Sequence, residues 1–314
     1  MAPQDLRVTV AVLTYRRPAD LAVALPMLVE QALAVGRLAQ VLVVDNDPDA
    51  GARSFVEAHG GPVRYVHEPR PGIAAGRNRA LDEAASSDVV VFVDDDERPC
   101  AGWLRLLLEQ YVVDRPLAVV GPVVSTYDVP PDAWVAAGRF FDRRRLPTGT
   151  EVTLAATNNL LLDVELVRAL ELRFDERFGI SGGSDSLFTR QAAARGGRMV
   201  WCDEALVTDV VPASRVTRRW VLRRAFRAGN TWSRTVVDVA PSAGARTRAR
   251  ARLAALGAVR TVGGAARYVL GVATRSLTHQ ARGARTAARG AGVLAGLTGA
   301  VYAEYRRDPR PRAG

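Results

Sequence analysis

The chain of 314 residues is 48% hydrophobic and 24% charged, with mean hydropathy near zero, which suits one large or two modest globular units and excludes a wholly disordered polypeptide. Two cysteines, Cys100 and Cys202, are too few for a disulfide scaffold and lack metal-ligand spacing. The formal charge of +10 is uneven: residues 1–214 hold 22 arginines against 30 acidic residues, residues 215–314 hold 21 against 3, and lysine is missing altogether. An acidic globular part thus precedes a basic region suited to a polyanion or an anionic membrane surface.

Residues 8–13 read as a first buried strand, entered at once from an N-terminus with no apolar signal core, so the catalytic part is expected in the cytoplasm. A helix begins near Pro18 and carries Leu21, Leu25, Leu28 and Val29 at helical spacing. Residues 41–44 form a second strand capped by Asp45-Asn46-Asp47, and residues 63–66 a third. A Pro/Gly loop then turns into an Ala-rich helix holding Arg77. Residues 89–93 are apolar and mostly β-branched, a strand buried on both faces, and Asp94-Asp95-Asp96 follow at once. Three adjacent carboxylates repel one another, so a divalent cation, a partner cation or open water must compensate them. On local evidence the triplet reads equally as a solvated turn or a helix N-cap.

Strands alternating with helices imply parallel β/α units, whose ligand crevice lies beyond the carboxyl ends of the strands. Thr14-Tyr15-Arg16, Asp45-Asn46-Asp47 and Asp94-Asp95-Asp96 each follow a strand and would meet there. No G-x-G-x-x-G follows the first strand and no Walker lysine exists, which excludes the familiar dehydrogenase and P-loop nucleotide sites. Carboxylates at these ends accept hydrogen bonds from a base or ribose, Tyr15 offers a stacking face, and Arg77 can neutralise phosphate.

Four ordered blocks carry a resemblance. Val12-Leu13-Thr14-Tyr15-Arg16-Arg17, Val43-Val44-Asp45-Asn46, Gly72-Ile73-Ala74-Ala75-Gly76-Arg77-Asn78 and Phe92-Val93-Asp94-Asp95-Asp96 are similar in order and spacing to family 2 glycosyltransferases of the GT-A fold. The resemblance implies a Rossmann-like α/β architecture, a mostly parallel sheet flanked by helices. It also implies a nucleotide-diphosphosugar donor, a divalent cation (Mg²⁺ or Mn²⁺), and inverting single displacement onto a glycan or lipid-linked hydroxyl. By the same likeness Thr14, Tyr15 and Arg16 line the base pocket, Asp45 holds the base, and Arg77 assists nucleotide binding. Asp94 and Asp95 serve the ribose and donor, and Asp96 with Asp94 ligates the metal.

Further along, residues 103–108 read as an amphipathic helix and residues 118–124 as one strand. The aperiodic residues 125–150, rich in aromatics and arginine, are either an acceptor-side loop or a surface excursion over packed rings. Residues 155–163 lead through Asn159, a candidate donor contact, to a short helix. The glycine-rich turn before Asp185 makes that residue an N-cap on local evidence. The resemblance makes Asp185 the catalytic base, with Ser184 standing where the family commonly has Glu. Two more strands are expected within residues 197–202 and 205–211, then a basic segment in which Arg215, Arg219, Arg223 and Arg224 are candidates for the donor diphosphate, Arg219 foremost.

Beyond residue 245 arginines recur, often seven or eight apart, between leucines and valines, a helical pattern with charge along one side. It suits an interfacial helix on anionic lipid, a helix packed on the catalytic part, or an oligomer contact. The expected layout is a catalytic domain over 1–240, a basic amphipathic helical region over 241–305 that makes the protein peripheral to the inner face of the cell membrane, and a disordered tail over 306–314. A nucleotidyltransferase, which also clusters acids around metal, and a nucleic-acid-binding protein using the basic region are the rival functions; few aromatics interleave the tail's arginines and no reader motif appears, so no nucleic acid is expected.

Overall fold

The valine-rich segments alternate with helices in the backbone as they do in the sequence. The computed structural model describes residues 2–179 and 182–300. It opens with β1 (Val8–Thr14), α1 (Pro18–Val35), β2 (Ala39–Asp45), α2 (Arg53–His59), β3 (Val63–His67), α3 (Ile73–Glu83) and β4 (Val89–Asp94). β1 pairs in parallel with both β2 and β4, and β2 with β3. Odd and even residues of these strands feed opposite faces. Val8, Val10 and Val12 join Val89, Val91 and Val93 beneath Leu21, Leu25 and Leu28 of α1, while Ala11, Leu42, Val90 and Phe92 pack on α3 through Ala80 and Leu81. Among the described residues α1 alone is long and apolar enough to cross a membrane, yet Leu21, Ala24, Leu25, Leu28 and Ala32 are spent covering the sheet.

The middle of the chain departs from the expected order. After β5 (Glu97–Pro99) and α4 (Trp103–Asp114), the apolar run expected as one strand divides into β6 (Ala118–Val120) and β7 (Val123–Tyr127). The break falls at Gly121-Pro122 for a physical reason: proline has no N–H for a ladder, and a Cβ on Gly121 would stand 2.2 Å from Nδ2 of Asn159 and 2.3 Å from the Ala205 carbonyl. Next come α5 (Ala133–Gly138), β8 (Glu151–Val152), β9 (Asn159–Asp163), α6 (Val164–Ala169), α7 (Ser184–Ala194), β10 (Met199–Trp201) and β11 (Val207–Val211). β9 is antiparallel to both neighbours, giving an eight-stranded, mostly parallel sheet in the order β3-β2-β1-β4-β9-β6-β10-β8. A smaller sheet orders β5-β11-β7. The aromatic excursion is the packed kind, with Trp134 stacked on Phe140 and Phe141 stacked on Trp220.

Three helices close the described chain: α8 (Arg218–Asp238), α9 (Ala243–Ala273) and α10 (Leu277–Leu297). Glycines decide how they meet. Gly257, Gly264 and Gly271 recur every seven residues on α9 and face Gly283 and Gly290 of α10. A Cβ on Gly264 would lie 2.3 Å from the Ala287 nitrogen, and one on Gly283 would lie 2.5 Å from the Tyr268 nitrogen, so the two backbones touch where side chains would part them. The other side of α10 approaches α8 equally closely, Gly292 lying against the Phe226 carbonyl and Gly296 against Ser233. α10 is therefore wedged between α8 and α9, and it also lies against α5. Of the expected helix placements, the one packed on the rest of the protein describes α10. The segment expected to be a disordered tail lies outside the described residues.

Candidate active site

The sheet register assembles the first half of the site. Thr14 stands opposite Asp45, and Leu13 opposite Asp94, so the ends of β1, β2 and β4 are immediate neighbours. The Thr14 hydroxyl donates to Asp95 at 2.9 Å. Arg16 has a left-handed backbone (φ 54°), and the chain turns there. Its guanidinium leaves the rim toward Asp47 and Asp49, 3.1 Å from each, while the following Arg17 folds back onto the triplet at 3.0 Å from Asp95 and 2.8 Å from Asp96. Tyr15 is partly exposed beside them, with the Arg16 guanidinium 5.4 Å from its ring centre.

The acids carry the strain of that assembly. Burial pushes the Asp94 carboxyl up to about 6, Asp96 adding to the effect and Arg77 and Arg17 opposing it. Burial likewise raises Asp95 to about 7 against the pull of Arg17. Glu97, buried and hydrogen-bonded to the Asp94 nitrogen and to Asn158, is pushed well above the ordinary glutamate range by loss of water and by Asp94. Arg17 loses water too, but Asp95 and Asp96 more than offset that loss and hold its charge. Neither Arg17 nor Glu97 was singled out from the sequence. Arg17 was legible, since it lies inside the first motif block and directly before the proline that starts α1.

The second half hangs on Arg77. Its buried guanidinium donates to the Ser184 hydroxyl at 2.9 Å and lies over Phe174, so α3 is tied to the start of α7. Ser184, in the position where a glutamate was expected, is thus an acceptor for Arg77. Asp185 follows as the second residue of α7, partly exposed, with its Oδ1 accepting from the Ser186 nitrogen at 2.7 Å. The N-cap is Gly183, at φ 97°, so the capping role expected for Asp185 is corrected. A cavity of about 340 Å³ opens there, lined by Asp185, Arg77, Arg190, Arg224, Arg227 and Arg289 among others. Burial, with Arg143 and Arg227 nearby, lowers Arg224 to about 10.

Other expected contacts fall elsewhere. Asp45 is buried, with Oδ1 accepting from the Asp47 nitrogen and Oδ2 from the Ala52 nitrogen and the Tyr65 hydroxyl, so both of its carboxylate oxygens are engaged within the protein. Asn159 is withdrawn from the site: its amide donates to the carbonyls of Pro122 and Ala205 and accepts from the Trp103 indole. Arg219 is exposed, and the neighbouring candidate Arg215 is the one that reaches Asp96, at 3.6 Å. Among the described residues no group of three or more His, Cys, Asp or Glu is arranged around a metal position.

Comparison with known proteins decides what this crevice belongs to. Residues 9–170, which span both motif-bearing sheet faces and the acid triplet, match the model of glycosyl transferase family 2. The succinoglycan biosynthesis protein ExoM of Rhizobium meliloti (strain 1021) is 33% identical over 244 residues, covering 76% of this chain and 78% of that protein. The chain belongs to glycosyl transferase family 2. The enzyme is a glycosyltransferase, and the nucleotidyltransferase alternative yields to that membership. The glycosyltransferase also shares its fold with S. aureus TarS residues 1–349 (TM-score 0.51, 16% identity, 97% of this chain and 98% of the other). GalNAc-T7 solved with UDP, GalNAc and Mn²⁺ gives a TM-score of 0.50 at 13% identity over 76% of this chain, which spans about half of that protein. The architecture is the GT-A arrangement, with basic helices following it.

Proposed function

We propose that this glycosyltransferase moves a sugar, with inversion, from a nucleotide-diphosphosugar to a hydroxyl of a glycan or lipid-linked acceptor during polysaccharide assembly. The observation that carries the proposal is the meeting of Thr14, Asp45, Asp94 and Asp95 at adjacent strand ends, joined through Arg77 and Ser184 to Asp185. The succinoglycan relative supports the polysaccharide setting.

The roles follow from position. Thr14, Tyr15 and Arg16 border the nucleoside pocket that Asp45 braces from behind. Asp185, partly exposed at a helix start and facing a cavity, takes the acceptor proton as the hydroxyl attacks, because a neutral hydroxyl is a poor nucleophile. Arg190, Arg224 and Arg227 of that cavity, with Arg215 beside Asp96, neutralise the departing diphosphate. The triplet offers the carboxylate oxygens that a hard divalent cation prefers, two of its members being raised by burial, while among the described residues no three acids converge on one metal position. Asp96, the most open of the acids facing Arg17, would hold the ion with Asp94. When bound there, Mg²⁺ or Mn²⁺ supplies Lewis-acid charge for the leaving group.

We place the catalytic domain at residues 1–240 and the basic helical region at 241–305, and the enzyme at the cytoplasmic face of the membrane. Support for a lipid contact comes from α9, which exposes Val259, Val262, Val269, Leu270 and Val272 on a helix that also carries arginines.

The test is a panel of UDP-, GDP- and dTDP-sugars with Mg²⁺ or Mn²⁺, followed by release of nucleoside diphosphate and by NMR of the anomeric product. One pair should bind and release nucleoside diphosphate with inverted configuration. Pyrophosphate release, or retained configuration, overturns the proposal.

A further inference from the structure

A second cavity, of about 450 Å³, lies between α5, α9 and α10. Its walls are made by arginine: Arg260 and Arg267, seven apart on α9, face Arg282, Arg285 and Arg289, three and four apart on α10, with Arg139 and Asp142 at the mouth. The glycine contacts that draw α9 and α10 together are what force these guanidinium groups into one space. Asp142, the one acid of the lining, is already paired with Arg139. Among the described residues, Arg260, Arg267, Arg282, Arg285 and Arg289 form no ion pair with any carboxylate.

The side chains are held in place without carboxylate acceptors. Arg260 lies over the Trp232 ring, its Nη1 buried with no hydrogen-bond partner. Arg285 is anchored by donating to the Arg139 carbonyl at 3.1 Å and by resting on Phe140. Arg267 meets only the imidazole of His279, at 3.3 Å. Loss of water lowers the pKa of both Arg285 and Arg289, with Arg282 pressing on the first and Arg260 on the second. A folded protein keeps five like charges around a hollow at a cost that an anion of high charge density removes, and planar guanidinium forks match phosphate oxygens in pairs. Arg289 also lines the cavity holding Asp185, so the two spaces share a wall.

We propose that the cavity formed by Arg260, Arg267, Arg282, Arg285 and Arg289 binds a phosphate or diphosphate group on the acceptor side of the enzyme, distinct from the donor's diphosphate. The acceptor assignment rests on the function proposed above, whereas the anion site itself does not. The phosphate belongs either to the headgroup of a lipid carrier or to a soluble phosphorylated compound.

The experiment is calorimetry on the full chain saturated with UDP and Mn²⁺, which occupies the donor site, titrated with inorganic pyrophosphate. Wild type should bind, and Arg267→Glu/Arg282→Glu should lose at least tenfold in affinity while its own UDP affinity is unchanged. Pyrophosphate binding that is absent in the wild type, or equal in the double variant, overturns the proposal. Should the double reversal lower helix content by circular dichroism, Arg282→Gln replaces it, with about a threefold loss expected and an unchanged affinity again overturning the idea. If UDP does not bind, the nucleoside diphosphate that the donor panel selects replaces it, and failure of every member overturns the donor assignment while the pyrophosphate comparison still judges the cavity. Farnesyl diphosphate binding tenfold more tightly than pyrophosphate, with farnesol not binding, assigns the phosphate to a lipid headgroup; equal affinities assign it to a soluble compound.

Discussion

The two ends of this enzyme solve opposite charge problems. At the strand ends, acids crowd together, and Arg17, Arg77 and Arg215 are brought from three different elements to offset them. In the helical block, arginines crowd together, and among the described residues no carboxylate forms an ion pair with the five that face the cavity, Asp142 acting on Arg285 only at longer range. The acid cluster is thus partly offset within the protein, with Asp94 and Asp95 still held above the ordinary carboxylate range, while the basic cluster is left open. The difference teaches that motif density and ligand demand are separate properties: the first region is easy to recognise, and the second is the one whose charges are unspent.

The largest test of the acidic end is Asp185→Asn. Removing a general base costs on the order of 10³-fold in rate, so turnover should fall by about that factor while calorimetric affinity for the donor nucleotide stays the same. Retained turnover would move the base elsewhere. At the basic end the corresponding lever is steric. Gly264→Val drives a side chain into the Ala287 backbone and should destabilise the fold by about 3 kcal/mol. Gly263→Ala, one residue away with nothing within 4 Å of the added carbon, should instead stabilise α9 by roughly 0.5–1 kcal/mol. Thermal melts of the pair measure whether helix contact or helix propensity governs the block.

The acidic half was legible in the sequence because each site residue follows a strand, and parallel pairing converts that local fact into proximity: Thr14, Asp45 and Asp94 needed no long-range information. Asn159 misled because a polar residue at a strand end looks the same whether it faces a crevice or cross-links a core. Only the approach of Gly121 and Ala205 distinguishes the two. The split of β6 from β7 was announced by Gly121-Pro122 and passed over in favour of the flanking valines. For the helical block, arginine spacing drew the eye to a lipid surface, whereas the sevenfold recurrence of Gly257, Gly264 and Gly271 carried the packing. Arg215 in place of Arg219 was beyond sequence reasoning, since which face of a loop meets Asp96 depends on how α8 docks.

Asn159→Ala sharpens the contrast between crevice and core. It strands the Ala205 carbonyl and the Trp103 indole N–H in a dry interior and leaves the Pro122 carbonyl with the Val207 N–H alone, and should cost about 2–3 kcal/mol in denaturant unfolding with donor affinity unchanged. Weakened donor binding in a variant of normal stability would return Asn159 to the site.

A smaller effect is a pH dependence whose sign separates the two ends. Asp94 and Asp95 ionise near 6 and 7 in the folded chain, against an ordinary value of 3.8, so between about pH 4 and pH 7 the folded protein holds protons that the unfolded chain gives up. Stability from these groups is full below pH 4 and declines as pH rises through 6 and 7. Carboxylates held low by arginine, such as Asp88, Asp175 and Asp203, are already ionised across that window and add no slope. In EDTA the melting temperature should therefore fall from pH 5.5 to pH 7.5 by a few degrees, corresponding to about 2 kcal/mol. Asp95→Asn should flatten the slope, and Mn²⁺ should restore more stability at pH 7.5 than at 5.5, because the ion competes with those same protons. A melting temperature that rises with pH in EDTA would mean that arginine already neutralises the triplet, and that the acidic end, unlike the basic one, asks for nothing more.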